Sequence, residues 1–250
     1  MTPALETKGL NRRFGALEVA GDINFRMEAG ARRALIGPNG AGKTTFVNLL
    51  TGQVKPSSGR IFLDGSDITG LSPDQRVQRG IARTFQLNTL LKGLTVLENV
   101  QLPILEHRKE GGLVLSGVRA QDRAAEAAYD LLERLRLHDD ALRRVSELPY
   151  GRQRLVEVAV ALALEPAVLV LDEPAAGVPP ADSHRMMDLI DGLPSSIAVL
   201  IIEHDMKLVF RFAREITVLV AGRILTEGPP DVIAHDPQVW DVYLGHRKHG

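Results

Sequence analysis

The run Gly37-Pro38-Asn39-Gly40-Ala41-Gly42-Lys43-Thr44-Thr45 has the residue types and spacing of a phosphate-binding loop, G-x-x-x-x-G-K-[ST]. With glycine at 37, 40 and 42, the backbone can curl until several N–H groups point at one anion. A helix beginning near Lys43 would add about half a positive charge at its first turn. Lys43 would bring a full charge to the β- and γ-phosphates of a nucleotide, and the Thr44 hydroxyl could coordinate Mg²⁺. A second cluster, Asp172-Glu173, closes the apolar run at 168–171. Strand alternation would turn the two carboxylates to different sides and so give them different roles. Asp172 would hold Mg²⁺ directly or through water. Glu173 could accept a proton from attacking water, a role worth about 10²–10⁴ in rate. Alone, the first cluster could be a glycine-rich turn and the second a helix cap; together they point to one nucleotide site.

These residues need elements to position them. Ala34-Leu35-Ile36 leads into the loop and the helical pattern Phe46-Val47-Asn48-Leu49-Leu50 follows, the strand–loop–helix setting that the motif requires. The runs at 33–36, 167–171 and 197–202 lack polar alternation and read as buried strands. Their alternation with helical patterns argues for an α/β layered architecture. Segments 17–25, 32–36 and 60–63, separated by turn signals such as Pro56-Ser57-Ser58-Gly59 and Asp64-Gly65, read as an antiparallel β-lobe. From 87 to 162 the character is helical: Ala128, Leu131, Leu132 and Leu135 fall at i, i+3, i+4 and i+7 within 122–137. The expected fold is an α/β phosphate-loop nucleotide-binding core, mostly parallel sheet, over 1–86 and 163–250. An N-terminal antiparallel β-lobe adjoins it, and an α-helical subdomain at 87–162 is inserted.

Composition narrows the function. A chain of 250 residues that is 44% hydrophobic can bury a full core. A net charge of −1 offers no basic face for nucleic acid. No apolar run approaches the roughly 18 residues of a membrane span, and the first residues lack the apolar stretch of a signal peptide. With no cysteine, thiol catalysis and thiolate metal sites are excluded. A cytoplasmic location is expected.

With these residues in place, the chain resembles the ATP-binding-cassette (ABC) family along nearly its whole length. Four further pieces follow the family's order. Phe14 matches the aromatic that stacks on adenine, and Gln86, in Ala82-Arg83-Thr84-Phe85-Gln86, matches the glutamine linking the metal site to the helical subdomain. Leu148-Pro149-Tyr150-Gly151-Arg152-Gln153-Arg154 occupies the signature position, and His204 in Ile202-Glu203-His204-Asp205 matches the switch histidine at the γ-phosphate. The resemblance implies ATP and Mg²⁺ as cofactors, with Thr44, Gln86 and Asp172 at the metal. It implies Lys43, Gln86, Glu173 and His204 in catalysis. Residues 37–45 and Phe14 would bind the chain's own nucleotide, and Tyr150, Gly151, Arg152 and Gln153 would bind one across a head-to-tail dimer.

Within the family, Ile81–Gln86, Leu94–Val100, the Tyr-Gly signature, Asp172–Gly177, Ile202–Met206 and the ending Val242-Tyr243-Leu244-Gly245 look like ATPase subunits of branched-chain amino-acid importers, whose relatives carry amides or urea. That branch implies a second, different ATPase subunit, permease subunits docking near Leu87, Leu90, Leu91, Leu94, Val96 and Leu97, an extracytoplasmic binding protein, and a seat on the cytoplasmic face of the inner membrane. A lipopolysaccharide-export ATPase, which generally has a Ser-Gly-Gly signature, is the alternative; a soluble ABC ATPase without a permease is a more distant one. The chain departs from the usual L-S-G-G-Q at Pro149, and carries Val160 and Pro179 where Arg and Asp or Asn are common. All three affect what it offers a partner, which implies two unequal ATP sites.

Overall fold

A computed structural model describes residues 2–84, 90–108 and 117–244. Phe85, Gln86 and Leu87 lie outside the described residues, and so does the Gly245 end of the C-terminal motif. Ten strands and nine helices follow in the order β1 (Leu5–Phe14), β2 (Leu17–Met27), β3 (Arg32–Ile36), α1 (Lys43–Leu50), β4 (Ser58–Leu63), β5 (Ser66–Asp67), α2 (Pro73–Gln78), β6 (Ile81–Arg83), α3 (Val96–His107), α4 (Gly117–Arg134), α5 (Tyr150–Leu162), β7 (Val168–Asp172), α6 (Pro180–Asp191), β8 (Ala198–Ile202), α7 (Met206–Phe212), β9 (Glu215–Val220), β10 (Arg223–Gly228), α8 (Pro230–His235) and α9 (Pro237–Leu244) among the described residues.

Two sheets organise them. A six-stranded sheet has the order β10-β9-β3-β8-β7-β6. Its β6, β7, β8, β3 and β9 run parallel and β10 pairs antiparallel with β9. A four-stranded antiparallel sheet has the order β2-β1-β4-β5. Arg32–Ile36, grouped above with the antiparallel lobe, is instead a central strand of the parallel sheet, between β8 and β9. Its five residues are all buried, which fits a strand covered on both faces. The lobe's middle strand is β1, which the sequence pattern did not single out.

Successive side chains of a strand point to opposite faces, and here the two faces meet different partners. Leu35, Val168, Val170, Ala198, Leu200 and Ile202 pack toward the antiparallel sheet and α1. Ala34, Ile36, Leu169, Leu171, Val199 and Ile201 pack toward the cluster that includes Val156 and Ala159 of α5 and Met186 of α6. The second cluster continues through Val100 of α3 and Leu132 of α4, so one apolar core joins the sheet to the helices between β6 and β7. Helix α1 enters the first cluster through Phe46, Val47, Leu49 and Leu50, with Phe46 edge-on to Phe25 at 5.4 Å.

The far end of α1 has an unusual partner. Fully buried Arg76 of α2 donates from Nη1 to the carbonyls of Leu49 and Leu50 at 2.6 and 2.8 Å, and from Nη2 to Thr69 O at 2.9 Å. A cation at a helix C-terminus satisfies orphan carbonyls and complements the dipole. Helix α3 starts at a reciprocal Thr95–Glu98 capping box, whose hydrogen bonds hold the Glu98 carboxyl below the usual carboxylate range.

Candidate nucleotide site

The carboxyl ends of β3, β7 and β8 lie side by side, and each delivers one part of the site. This is where open parallel sheets place their ligands. From β3 the chain runs through Gly37–Gly42 into α1. Gly42, just before the helix, adopts φ +100°, and a Cβ there would lie 2.8 Å from the Val19 carbonyl. Only glycine fits both the left-handed backbone and that approach. The loop is fixed by hydrogen bonds from Ala41 N to Pro38 O at 3.1 Å and from Gly222 N to Ala41 O at 2.8 Å. Asn39, Gly40 and Thr44 are exposed at its lip, with Pro38 and Thr45 half-buried.

Lys43 folds back over the loop, its Nζ donating to Gly37 O at 2.6 Å and Pro38 O at 3.1 Å. Desolvation lowers its pKa, while the charges of Glu173 and Asp172 pull it back up. Loop lysine and strand-end carboxylates therefore share one electrostatic field. With its head group bonded to two backbone carbonyls among the described residues, Lys43 can transfer its charge to a phosphate that enters the cradle.

Asp172 ends β7 and is 4% exposed. It makes an ion pair absent from the expectations: Arg83 Nη2 to Asp172 Oδ2 at 2.5 Å, with Arg83 Nη1 donating to Asn48 Oδ1 of α1 at 2.6 Å. Arg83 thus ties the edge strand β6 to both α1 and β7. The other Asp172 oxygen and the exposed Thr44 hydroxyl are hard oxygen donors of the kind Mg²⁺ takes. Among the described residues no group of three or more His, Asp or Glu could hold a metal unaided. A Mg²⁺ ion here would depend on phosphate oxygens for the rest of its shell, its usual habit beside a nucleotide.

Glu173 is positioned by strain rather than by strand alternation. The strand stops at Asp172, and Glu173 sits at φ +48°, with its N–H donating to Ile202 O at 2.9 Å. A non-glycine residue in this region is uncommon and costs about 1–2 kcal/mol. The side chain is partly exposed, and its Oε1 lies 3.9 Å from Nδ1 of His204, which is on the loop after β8. The same nitrogen is 3.9 Å from Oε2 of Glu203, so the imidazole stands between two carboxylates.

Phe14 ends β1, half exposed, with the Arg12 guanidinium 4.2 Å from its ring centre. It pairs with Leu17 across the β1–β2 turn, and Val19 two residues on touches Gly42, so the hairpin stands beside the phosphate loop. Glu18 steadies it through Arg13 at 2.8 Å and Arg223 at 2.5 Å. A flat aromatic face at this place can stack on a nucleobase.

Tyr150, Gly151, Arg152 and Gln153 open α5, with Pro149 as the residue before its first turn. The Pro149 carbonyl accepts from the amides of Arg152 and Gln153 at 2.9 and 3.1 Å. Arg152 donates to buried Asp140 at 2.7 Å, and Gln153 to Leu148 O at 2.8 Å. Both side chains are engaged within the chain, so the turn presents Tyr150 and the Gly151 backbone outward. A Cβ on Gly177, at φ +74°, would lie 3.1 Å from Tyr150 Cε1, so the loop after β7 runs against the head of α5. Arg83 and Glu203 are the site residues that sequence reasoning missed; their partners lie 89 and 28 positions away.

The family model described as "ABC transporter" matches residues 20–176. The chain is 40% identical to "High-affinity branched-chain amino acid transport ATP-binding protein BraF" of Pseudomonas aeruginosa, covering 97% of this chain and 98% of that one. It is 39% identical, with the same coverages, to LivG of Escherichia coli K12, which bears the same description. Among solved structures, the ADP conformation of MJ1267, an ATP-binding cassette of an ABC transporter, superposes with a TM-score of 0.84 at 31% identity. That match covers 98% of this chain and 100% of the other. A dimeric post-hydrolysis state of the cassette MJ0796 bound to ADP and Pi superposes at 0.73 with 25% identity, covering 90% and 98%.

Proposed function

This chain belongs to the ABC transporter family, and from that premise we propose that it is the ATP-hydrolysing subunit of an importer for branched-chain amino acids. The observation that carries the reading is similarity to importer ATPases along 97% of the chain. A phosphate loop, two strand-end carboxylates and a histidine converging at one end of the sheet support it.

In this scheme the loop amides and Lys43 hold the β- and γ-phosphates, and Phe14 stacks on adenine. Thr44, Asp172 and Gln86 would hold Mg²⁺, which would supply charge neutralisation for the phosphates. Glu173 orients the in-line water and takes its proton, while His204 donates to the γ-phosphate. The energetic work is positioning and electrostatic stabilisation, as for phosphoryl transfer in general. Gln86 falls in sequence between Asn48-bound Arg83 of β6 and the helical segment, and its movement would switch the site on and off. Residues 1–86 and 163–250 would form the nucleotide core and 87–162 the helical arm.

The chain would sit at the cytoplasmic face of the inner membrane beside permease subunits, served by an extracytoplasmic binding protein. No helix among the described residues is long and apolar enough to cross a membrane. A permease segment would find apolar side chains at Leu91 and Leu102, both well exposed, and a groove lined by Leu94, Glu98, Leu102 and Leu105. A second, non-identical cassette would close the nucleotide with its own signature turn. The test is a tagged pull-down from native membranes with mass spectrometry of the co-purifying chains. Two polytopic permeases and a different cassette are expected. Recovery alone from the soluble fraction would overturn the transport reading.

A further inference from the structure

Glu203 has no task in the scheme above, yet it is the most deeply buried carboxylate beside the site, at 2% exposure. Burying a carboxylate is costly unless hydrogen bonds or opposite charges replace its water. Its two oxygens face two different loops. Oε1 accepts from Ala175 N, on the loop after β7, at 3.0 Å. Oε2 accepts from His204 N, on the loop after β8, at 3.2 Å. The neighbouring Asp205 takes the separate job of capping α7, accepting from the amides of Lys207 and Leu208.

The β7–β8 ladder joins the two segments as far as the bond from Glu173 N to Ile202 O at 2.9 Å, and beyond that point packing does not by itself hold the loops together. A hollow of about 160 Å³ lies between them, lined by Ala175, Val178 and His184 on one side and by Glu203, His204 and Leu208 on the other. Where side chains leave a void, hydrogen bonds decide relative placement, since interlocked packing is what otherwise makes an interior rigid. The Glu203 carboxylate bridges that void at its buried edge. The loop it grips begins at Glu173, held at φ +48°, two residues before Ala175.

We propose that Glu203 is a positioning residue for ATP hydrolysis: its carboxylate couples the backbone carrying Glu173 to the backbone carrying His204, so that the two groups move as one unit. The idea rests on the reading that Glu173 and His204 act on the γ-phosphate. It gives the loop after β7, which also touches Tyr150 at the head of the signature helix, a mechanical line to His204.

Both N–H donors need an acceptor, so the clamp requires the ionised form. Burial raises the Glu203 pKa, with the amides of Ala175, His204 and Asp205 and the charge of His204 pulling it down. The titratable neighbours are His204 at 3.9 Å, with Glu173 beyond it, and His184 and Asp205 around the same hollow. As pH falls through a raised pKa, the carboxyl takes a proton and one oxygen turns from acceptor to donor, facing an N–H. Activity should therefore fail on the acid side at a higher pH than an ordinary carboxyl would dictate.

The experiment uses the assembled transporter complex and compares wild type, E203Q, H204A and the double variant. Glutamine keeps the size but sets an NH₂ against one of the two N–H donors. The kcat of E203Q should fall about tenfold or more with little change in KM for ATP, because misplacing a catalytic group by about 1 Å costs up to about 10²-fold. The share of the acid limb that Glu203 sets should disappear in E203Q, leaving the limb of the general base Glu173, and E203Q should cost nothing further in the H204A background. Should E203Q fail to fold, E203D keeps the charge but reaches one loop only, and should retain the acid limb at reduced kcat. Wild-type kcat and pH profile in E203Q, or independent losses in the double variant, would overturn the proposal. Full activity in H204A and E173Q would instead overturn the underlying reading of the site.

Discussion

At Asp172 two demands meet in one carboxylate. It faces the nucleotide end of the sheet, and it is already paired with Arg83, the two side chains being 4% and 9% exposed. Removing one partner of a buried pair leaves the other charge uncompensated, at a cost of about 3–5 kcal/mol. Arg83→Met should therefore lose stability of that order in urea unfolding without nucleotide. The deficit should shrink with Mg²⁺ and ATP present, when a second cation can satisfy Asp172. A variant as stable as wild type in both conditions would show that the pair contributes nothing. The carboxylates were legible in the sequence because they are adjacent and end an apolar run. Arg83 was not, since spacing along a chain does not report which distant residue a side chain turns to. For the same reason Arg152 and Gln153 read as nucleotide ligands, although their side chains are bonded within the chain to Asp140 and Leu148.

Among the elements, buried parallel strands were the most legible, because a strand covered on both faces must be apolar throughout. In Arg32–Ile36 only Ala34, Leu35 and Ile36 obey that rule; Arg32 and Arg33 are buried against the Ile197 and Leu193 carbonyls and against Glu215 and Glu227, which blurred the strand's place in the sequence. Strand β1 was hidden by its charged residues and by register shifts between Thr7, Leu10, Arg12 and Arg13, which break a clean alternation. The helix of the phosphate loop was legible at its start but not at its end, where Arg76 of another helix closes it. Desolvation lowers the Arg76 pKa, and the guanidinium has the carbonyls of Leu49, Leu50 and Thr69 as its close partners. Arg76→Met would keep the apolar stem and take the guanidinium from the Leu50 and Thr69 carbonyls, leaving Leu49 O with the long bond from Gly52 N at 3.4 Å, at about 1–3 kcal/mol for each group that water does not reach. A stability loss of about 3 kcal/mol is expected in urea unfolding, with weaker ATP binding because α1 frays from its C-terminal end. Unchanged stability would mean that water replaces the guanidinium without penalty.

For the molecule as part of a dimer, the departures lie on one side. The phosphate loop, Asp172, Glu173 and His204 all keep the family pattern, and in the proposed scheme they would serve the chain's own nucleotide. Pro149, Val160 and Pro179 would belong to what the chain offers a partner. Pro149 has neither hydroxyl nor N–H to give a phosphate, and Arg152 is drawn away to Asp140. A site closed by this turn should be the weaker of two in a heterodimer, and the site built on this chain's loop the stronger. Glu173→Gln strikes the strong site, and should lower ATPase activity of the assembled complex by about the 10²–10⁴ of a lost general base. Gly151→Asp strikes the other: its Cβ would come within 3.1 Å of Val178 and 3.6 Å of Asp182, blocking the outward backbone of the turn with a carboxylate. Most of the activity should survive that change. Equal losses in the two variants would mean that both sites hydrolyse ATP alike, and that Pro149 costs the dimer nothing.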